Sequence, residues 1–177
     1  QRIAQYASRR IPHQASLFIN IGTTTEEVAK ALLAHHNLRI ITNNLNVAQI
    51  LSGNPAFEVI IAGGAVRNRD GGIIGEATID FINQFKVDFG IIGISGIDDD
   101  GTLLDFDYRE VRVAQAIIAN ARETMLVADR SKLARSAPVR IGEMSQVASF
   151  VTDSLDSEKL RRVCRVSGVR VEVGCGR

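Results

Sequence analysis

Apolar residues along this chain fall into short unbroken runs, and between the runs they recur at helical spacing. The runs "SLFINIG" (16–22), "LRIITN" (38–43), "FEVIIAGG" (57–64), "VDFGIIGISG" (87–96), "TMLVAD" (124–129), "VASFVTD" (147–153) and "VRVEV" (169–173) each read as a strand. Between them, "TTEEVAKALLAHH" (24–36) sets Val28, Ala31 and Leu32 on one helical face. "LNVAQILS" (45–52), "ATIDFINQF" (77–85), "YREVRVAQAIIANA" (108–121) and "SEKLRRVCRVS" (157–167) also read as helices. Strands that alternate with helices predict an α/β fold with a mainly parallel sheet. Because the strands are apolar on both sides, helices are expected to cover both faces of that sheet. Ligands of such sheets bind at the carboxyl ends of strands, so the loops after residues 22, 42, 62, 94 and 128 are where chemistry is expected.

The first of these loops, "IGTTTEE", joins Gly22 to Thr23, Thr24 and Thr25 at the start of a helix. Backbone N–H groups, hydroxyls and the positive helix end can converge there on a phosphate. The alternative is a capping box, in which Thr23 or Thr24 pairs with Glu26 or Glu27. The second loop offers Asn43 and Asn44 as hydrogen-bonding groups for hydroxyls, although Asn44 also suits a helix cap. The third carries Gly63 and Gly64, which permit close backbone approach or a sharp turn, followed by Arg67 and Arg69 as sources of positive charge. In the fourth, "ISGIDDDG" (94–101), Ser95, Gly96 and Asp98 lie at the strand end, while Asp99, Asp100 and Gly101 read as a solvated turn. Glu110 opens the next helix, and Lys132 follows the fifth strand end, where it can meet an anion as a point charge.

Composition narrows the field further. Over 177 residues there are 21 Lys and Arg against 20 Asp and Glu, and 5% aromatic residues, so neither a basic excess nor a stacking platform marks this chain as gripping nucleic acid by itself. The length suits one domain with a real core. No apolar stretch approaches the roughly 18 residues a membrane span needs, and the first residues lack the apolar core of a secretory signal, so a cytoplasmic protein is expected. Cys164 and Cys175 have no metal-type spacing and read as free thiols, and His13, His35 and His36 show neither metal nor triad spacing. No metal or cofactor is implied. Lacking both a Walker lysine and a G-x-G-x-x-G after a strand, the chain is a poor fit to a nucleotide fold.

From residue 1 to about 153 the sequence resembles the effector-binding domain of DeoR-type bacterial repressors. The resemblance rests on "GTTT" (22–25), "TNN" (42–44), "AGG" (62–64), "GGIIGEA" (71–77), "GISGID" (93–98), "DYREVR" (107–112) and "DRSK" (129–132), in that order. It implies a sensor for a small phosphorylated metabolite, with glycerol 3-phosphate favoured by the segments 21–32, 38–48 and 69–85. It also implies a winged helix-turn-helix upstream, through which alone operator DNA would be bound. Residues 1–14 would then be the linker helix and residues 15–177 the sensor domain, in a homodimer or homotetramer. The resemblance places Gly22, Thr23, Thr24, Thr25 and Lys132 at the effector's phosphate. It places Asn43, Asn44, Gly63, Gly64, Arg67, Ser95, Gly96, Asp98 and Glu110 at its polar groups. After residue 154 the match is loose.

The family's domain is in turn similar to ribose-5-phosphate isomerase and glucosamine-6-phosphate deaminase, so an isomerase or deaminase is the alternative reading. Of the isomerase set, Asp98, Glu110 and Lys132 match, but Ser95 replaces the first aspartate, and "DGTLLDFD" supplies no lysine. Enediol chemistry needs both a base and preorganised charge for the oxyanion. The expectation is therefore a binding domain and not an enzyme.

Overall fold

A computed structural model of the chain describes residues 1–174. In chain order the elements are α1 (Arg2–Arg9), β1 (Ser16–Ile19), α2 (Thr23–Leu32), β2 (Arg39–Thr42), α3 (Leu45–Leu51), β3 (Glu58–Ile61), β4 (Ala65–Arg67), β5 (Gly72–Ile74) and α4 (Glu76–Ile82). They continue with β6 (Val87–Ile92), β7 (Gly96–Ile97), β8 (Thr102–Asp105), α5 (Tyr108–Asn120), β9 (Ala121–Val127), β10 (Val139–Glu143), β11 (Ser149–Thr152), α6 (Glu158–Val166) and β12 (Arg170–Val173).

Seven strands form one sheet in the order β12-β11-β9-β6-β1-β2-β3, and every pair in it is parallel. The apolar runs explain why, since successive side chains point to opposite faces and both faces are buried. Leu17, Ile19, Ile40, Ile91, Met125 and Val127 pack with α1, α2 and α3 on one side. Phe18, Ile41, Ile92, Leu126 and Phe150 pack with α4, α5 and α6 on the other. The ten-residue α2 is too short to persist alone in water, so the complete burial of Val28, Ala29 and Leu32 is what holds it. A fully buried Val or Leu contributes about 1.5–3 kcal/mol.

Two small sheets lie outside the expected alternation. The hairpin β4–β5 is antiparallel, and β7, β8 and β10 form a three-stranded antiparallel sheet that joins the α5 side of the core through Ile97, Leu103 and Ile141. The run 87–96 is thus a strand only to Ile92, and "ISGIDDDG" becomes most of a hairpin, with Asp98–Gly101 as its turn. Asp99 and Asp100 are exposed as expected, but Gly101 is buried, at φ +90°, and its carbonyl accepts from Met144 N–H at 2.8 Å.

The N-terminal helix α1 starts without a side-chain cap and packs onto α2, burying Ile3, Ala4 and Ala7. The two helices run side by side in the same direction. Residues Gln1–Ala4 face Thr23–Glu27, and His35, just beyond α2, bonds the carbonyls of Ser8 and Ile11 at 3.0 and 2.8 Å through Nε2. His13, His35 and His36 gather at that far end with ring centroids 4.8–5.1 Å from His13, although among the described residues no group of three side chains is disposed to hold a metal. Cys164 is a buried free thiol, and Cys175 lies outside the described residues.

Candidate functional site

Strand β1 sits where the sheet changes direction. The chain leaves it through α2 toward β2 and β3, whereas β6 leads through α5, on the opposite face, toward β9. Connections that part this way open a crevice at the carboxyl ends of the two strands. Asn20, 2% exposed, bridges its floor: its N–H donates to Ile91 O at 3.1 Å, and its Oδ1 accepts from Gly93 N–H at 2.9 Å. Above it lies a cleft of about 410 Å³, the size of a small-molecule site.

One pole of the cleft suits an anion. Gly22, at φ 147°, is the N-cap of α2, and no side chain caps the helix. The capping box weighed from the sequence is therefore not formed, and the first N–H groups of α2 keep no intrahelical partner. Thr25 turns inward, its hydroxyl donating to the carbonyls of Gly22 (2.7 Å) and Asn20 (3.0 Å), while Thr23 and Thr24 line the cleft. Lys132 reaches the same cleft from a single 3-10 turn after β9, which Asp129 caps by accepting from Ser131 N–H at 2.8 Å. Among the described residues no ion pair engages Lys132, and the cleft's closest ion pairs gather on Arg67.

The other pole is a wall of carboxylates around that arginine. Arg67, on the hairpin β4–β5, has a side chain 10% exposed; it meets Asp107 at 3.0 Å and Glu110 at 2.7 Å, and it also pairs with Asp70. Burial works to neutralise the guanidinium, yet its bonds to Asp70, Glu110 and Asp107 outweigh that and fix the charge. Asp107, the N-cap of α5, is held well below the usual carboxylate range, first by Arg109 and further by Arg67. Glu110 moves the other way. Burial raises its carboxyl, the nearby charge of Asp105 adds to the rise, and Arg67 offsets only part of it. Asp105 itself is 5% exposed, and its Oδ1 accepts from Ser95 Oγ at 3.0 Å and from Phe106 N–H at 2.7 Å.

Of the residues expected from the sequence, the fold brings Gly22, Thr23, Thr24, Arg67, Arg69, Ser95, Glu110 and Lys132 into this one cleft. The others stand outside its lining, and most have evident structural tasks. Thr25 ties the α2 turn to β1. Asn43 donates to Ile73 O at 3.1 Å, and Asn44 caps α3 by accepting from Asn46 N–H at 2.9 Å. Together they dock β5 beside the end of β2. Gly64, at φ +148°, allows a close approach, since a Cβ there would stand 2.2 Å from Thr78 Oγ1, and the Gly63 carbonyl accepts from that hydroxyl. Gly96 lies against the Arg135 backbone, and Asp98 opens the hairpin turn. Sequence reasoning missed Glu26, Asn46, Asp70, Asp105 and Phe106, which line the cleft. No signal in the sequence marks Asp105, since its place depends on the return strand β8 and on that strand's distant partner β10.

The fold is that of ribose 5-phosphate isomerase A and of eIF2B subunits. Ribose 5-phosphate isomerase A from Neisseria gonorrhoeae superposes with a TM-score of 0.54 at 13% identity, over 78% of this chain and 53% of that one. The eIF2B delta structure from Chaetomium thermophilum gives 0.62 at 10% identity, over 85% and 53%. Within that fold, residues 1–154 match the model of the DeoR C-terminal sensor domain, and the chain belongs to that family. The glycerol-3-phosphate regulon repressor of Escherichia coli (strain K12) is 54% identical over 173 residues, 98% of this chain and 69% of that protein. Its counterpart from Haemophilus influenzae (strain ATCC 51907 / DSM 11121 / KW20 / Rd) is 59% identical over 150 residues, 85% of this chain and 58% of that protein. The family model stops where the sequence resemblance became loose, although the Escherichia coli repressor aligns almost to the end. These close relatives are regulators, so the fold shared with isomerases serves sensing here. Among the described residues no helix is long and apolar enough to cross a membrane.

Proposed function

We propose that this chain is the sensor of a transcriptional repressor and that the cleft between β1 and β6 binds glycerol 3-phosphate. The phosphate lies on the free N–H groups of α2 with Thr23, Thr24 and Lys132, and the hydroxyls face Ser95, Asp105 and Glu110. The observation that carries this reading is the uncapped helix start at the sheet's switch point, with an unpaired lysine lining the same cleft. The names of the two regulon repressors point to the metabolite.

In the proposed repressor, α1 links this domain to a winged helix-turn-helix, and effector binding lowers operator affinity. By linkage, operator DNA then weakens effector binding by the same factor. The intact protein works in the cytoplasm as a homodimer or homotetramer, since repeated operator half-sites call for symmetric partners. The isomerase reading is weaker: Ser95 stands where an acid is needed, and Glu110 is engaged by Arg67 at 2.7 Å.

Isothermal titration with glycerol 3-phosphate, ribose 5-phosphate, fructose 6-phosphate and free glycerol tests the reading. Glycerol 3-phosphate should bind, glycerol should not, and Thr24→Ala and Lys132→Ala should each weaken binding at least about tenfold, the scale of a lost charge-assisted contact. Unchanged affinity in both variants would remove the phosphate from this pole, and turnover of ribose 5-phosphate would restore the enzyme.

A further inference from the structure

The carboxylate wall has a feature that phosphate binding does not use. Asp105 is more than nine-tenths buried and lines the cleft, yet only one of its oxygens is engaged: Oδ1 takes both Ser95 and Phe106, and Oδ2 accepts nothing from the described residues. Glu110 repeats the pattern, with Oε2 on Arg67 and Oε1 uncommitted. Both free oxygens open on the cleft and are not sealed in the core, so a ligand that supplies hydroxyl donors there makes charge-assisted hydrogen bonds to them. A ligand that brings another anion meets two carboxylates, and the arginine beside Glu110, Arg67, already serves three acids.

We propose that Asp105 and Glu110 form a selectivity filter at the far end of the cleft, admitting phosphomonoesters whose other end carries free hydroxyls and rejecting those that end in a carboxylate. The filter rests on the reading of the cleft as a phosphometabolite site. Affinity comes from the α2 pole, and the choice among phosphorylated metabolites comes from the acids opposite it. The filter works by repulsion as much as by attraction, so it discriminates between ligands that share an identical phosphate. Asp105 is a specificity-determining residue in this scheme, and Ser95 positions it.

The test compares glycerol 3-phosphate with 3-phosphoglycerate, which has a carboxylate in place of the hydroxymethyl group, by titration calorimetry on the wild type, Asp105→Asn and Glu110→Gln. The wild type should prefer glycerol 3-phosphate by at least about tenfold, or about 1.4 kcal/mol. Asp105→Asn should bring the two affinities within about threefold, mainly by admitting the acid. Thermal unfolding of each variant checks its fold, and Glu110→Gln carries the same comparison if Asp105→Asn is unfolded. Equal wild-type affinities, or a ratio unmoved in the folded variants, overturn the filter while leaving the phosphate site standing. If neither phosphate binds the wild type, the sensing reading falls and the filter with it.

Discussion

Glu110 is the residue at which stability and the proposed recognition meet. Its folded carboxyl titrates above its ordinary value of 4.5, so between that value and the raised one the native state holds a proton that the unfolded chain has lost. Stability contributed by this residue therefore falls as pH rises through that window. Asp70 and Asp107 behave oppositely, because their folded values lie below the ordinary 3.8, and their contribution is lost as pH drops beneath it. Urea midpoints measured from about pH 4 to 7 should show the downward slope in the wild type, and Glu110→Gln should flatten it. A slope that survives the substitution would come from other titrating groups and would count against a raised Glu110. At this scale the sequence was half legible. Thr23, Thr24, Lys132, Ser95 and Glu110 follow strand ends that the apolar runs mark, so their convergence could be read. Asp105 could not, because its place depends on a return strand whose partner, β10, lies more than thirty residues on. Asn43 and Asn44 show a related ambiguity: groups suited to a ligand's hydroxyls are equally suited to the backbone of a docking hairpin.

At the scale of elements, the parallel sheet and its helices were readable because each strand is apolar on both faces and each helix keeps one apolar stripe. The antiparallel pieces were not. β4 and β5 are three residues each and β7 is two, too short for any alternation, and what fixes them is tertiary: β8 and the Arg135 backbone hold β7, while Asn43 and Asn44 on one side and the close turn at Gly64 on the other hold β4 and β5. That turn offers a direct check. Gly64→Ala would place a Cβ within 2.9 Å of Thr78 Oγ1, Ile74 O and Ile73 Cγ2, at a φ that L-residues rarely adopt. It should cost about 2–4 kcal/mol in urea unfolding, well beyond an ordinary surface change. A loss under about 0.5 kcal/mol would show that the hairpin shifts freely. Because Arg67 rides on this hairpin, the same variant should also loosen the acids of the cleft.

For the molecule as a whole, a ligand that binds only the folded state must stabilise it by mass action. Glycerol 3-phosphate at a hundred times its dissociation constant should add about 2.7 kcal/mol, which for a chain of this size raises the unfolding midpoint by about 5–10 °C. Scanning fluorimetry would register this, with free glycerol giving no shift, and a flat response to glycerol 3-phosphate would count against the proposed effector.

The parallel seating of α1 on α2 bears on how such a signal would leave the domain. Side by side and pointing the same way, the two helices put Gln1 and Arg2 next to Thr23 and Thr24, the turn proposed to hold the phosphate. In the proposed repressor, the doorway to the DNA-binding half would thus open beside the lock. News of the ligand would have no core to cross; it would need only to be felt one wall away.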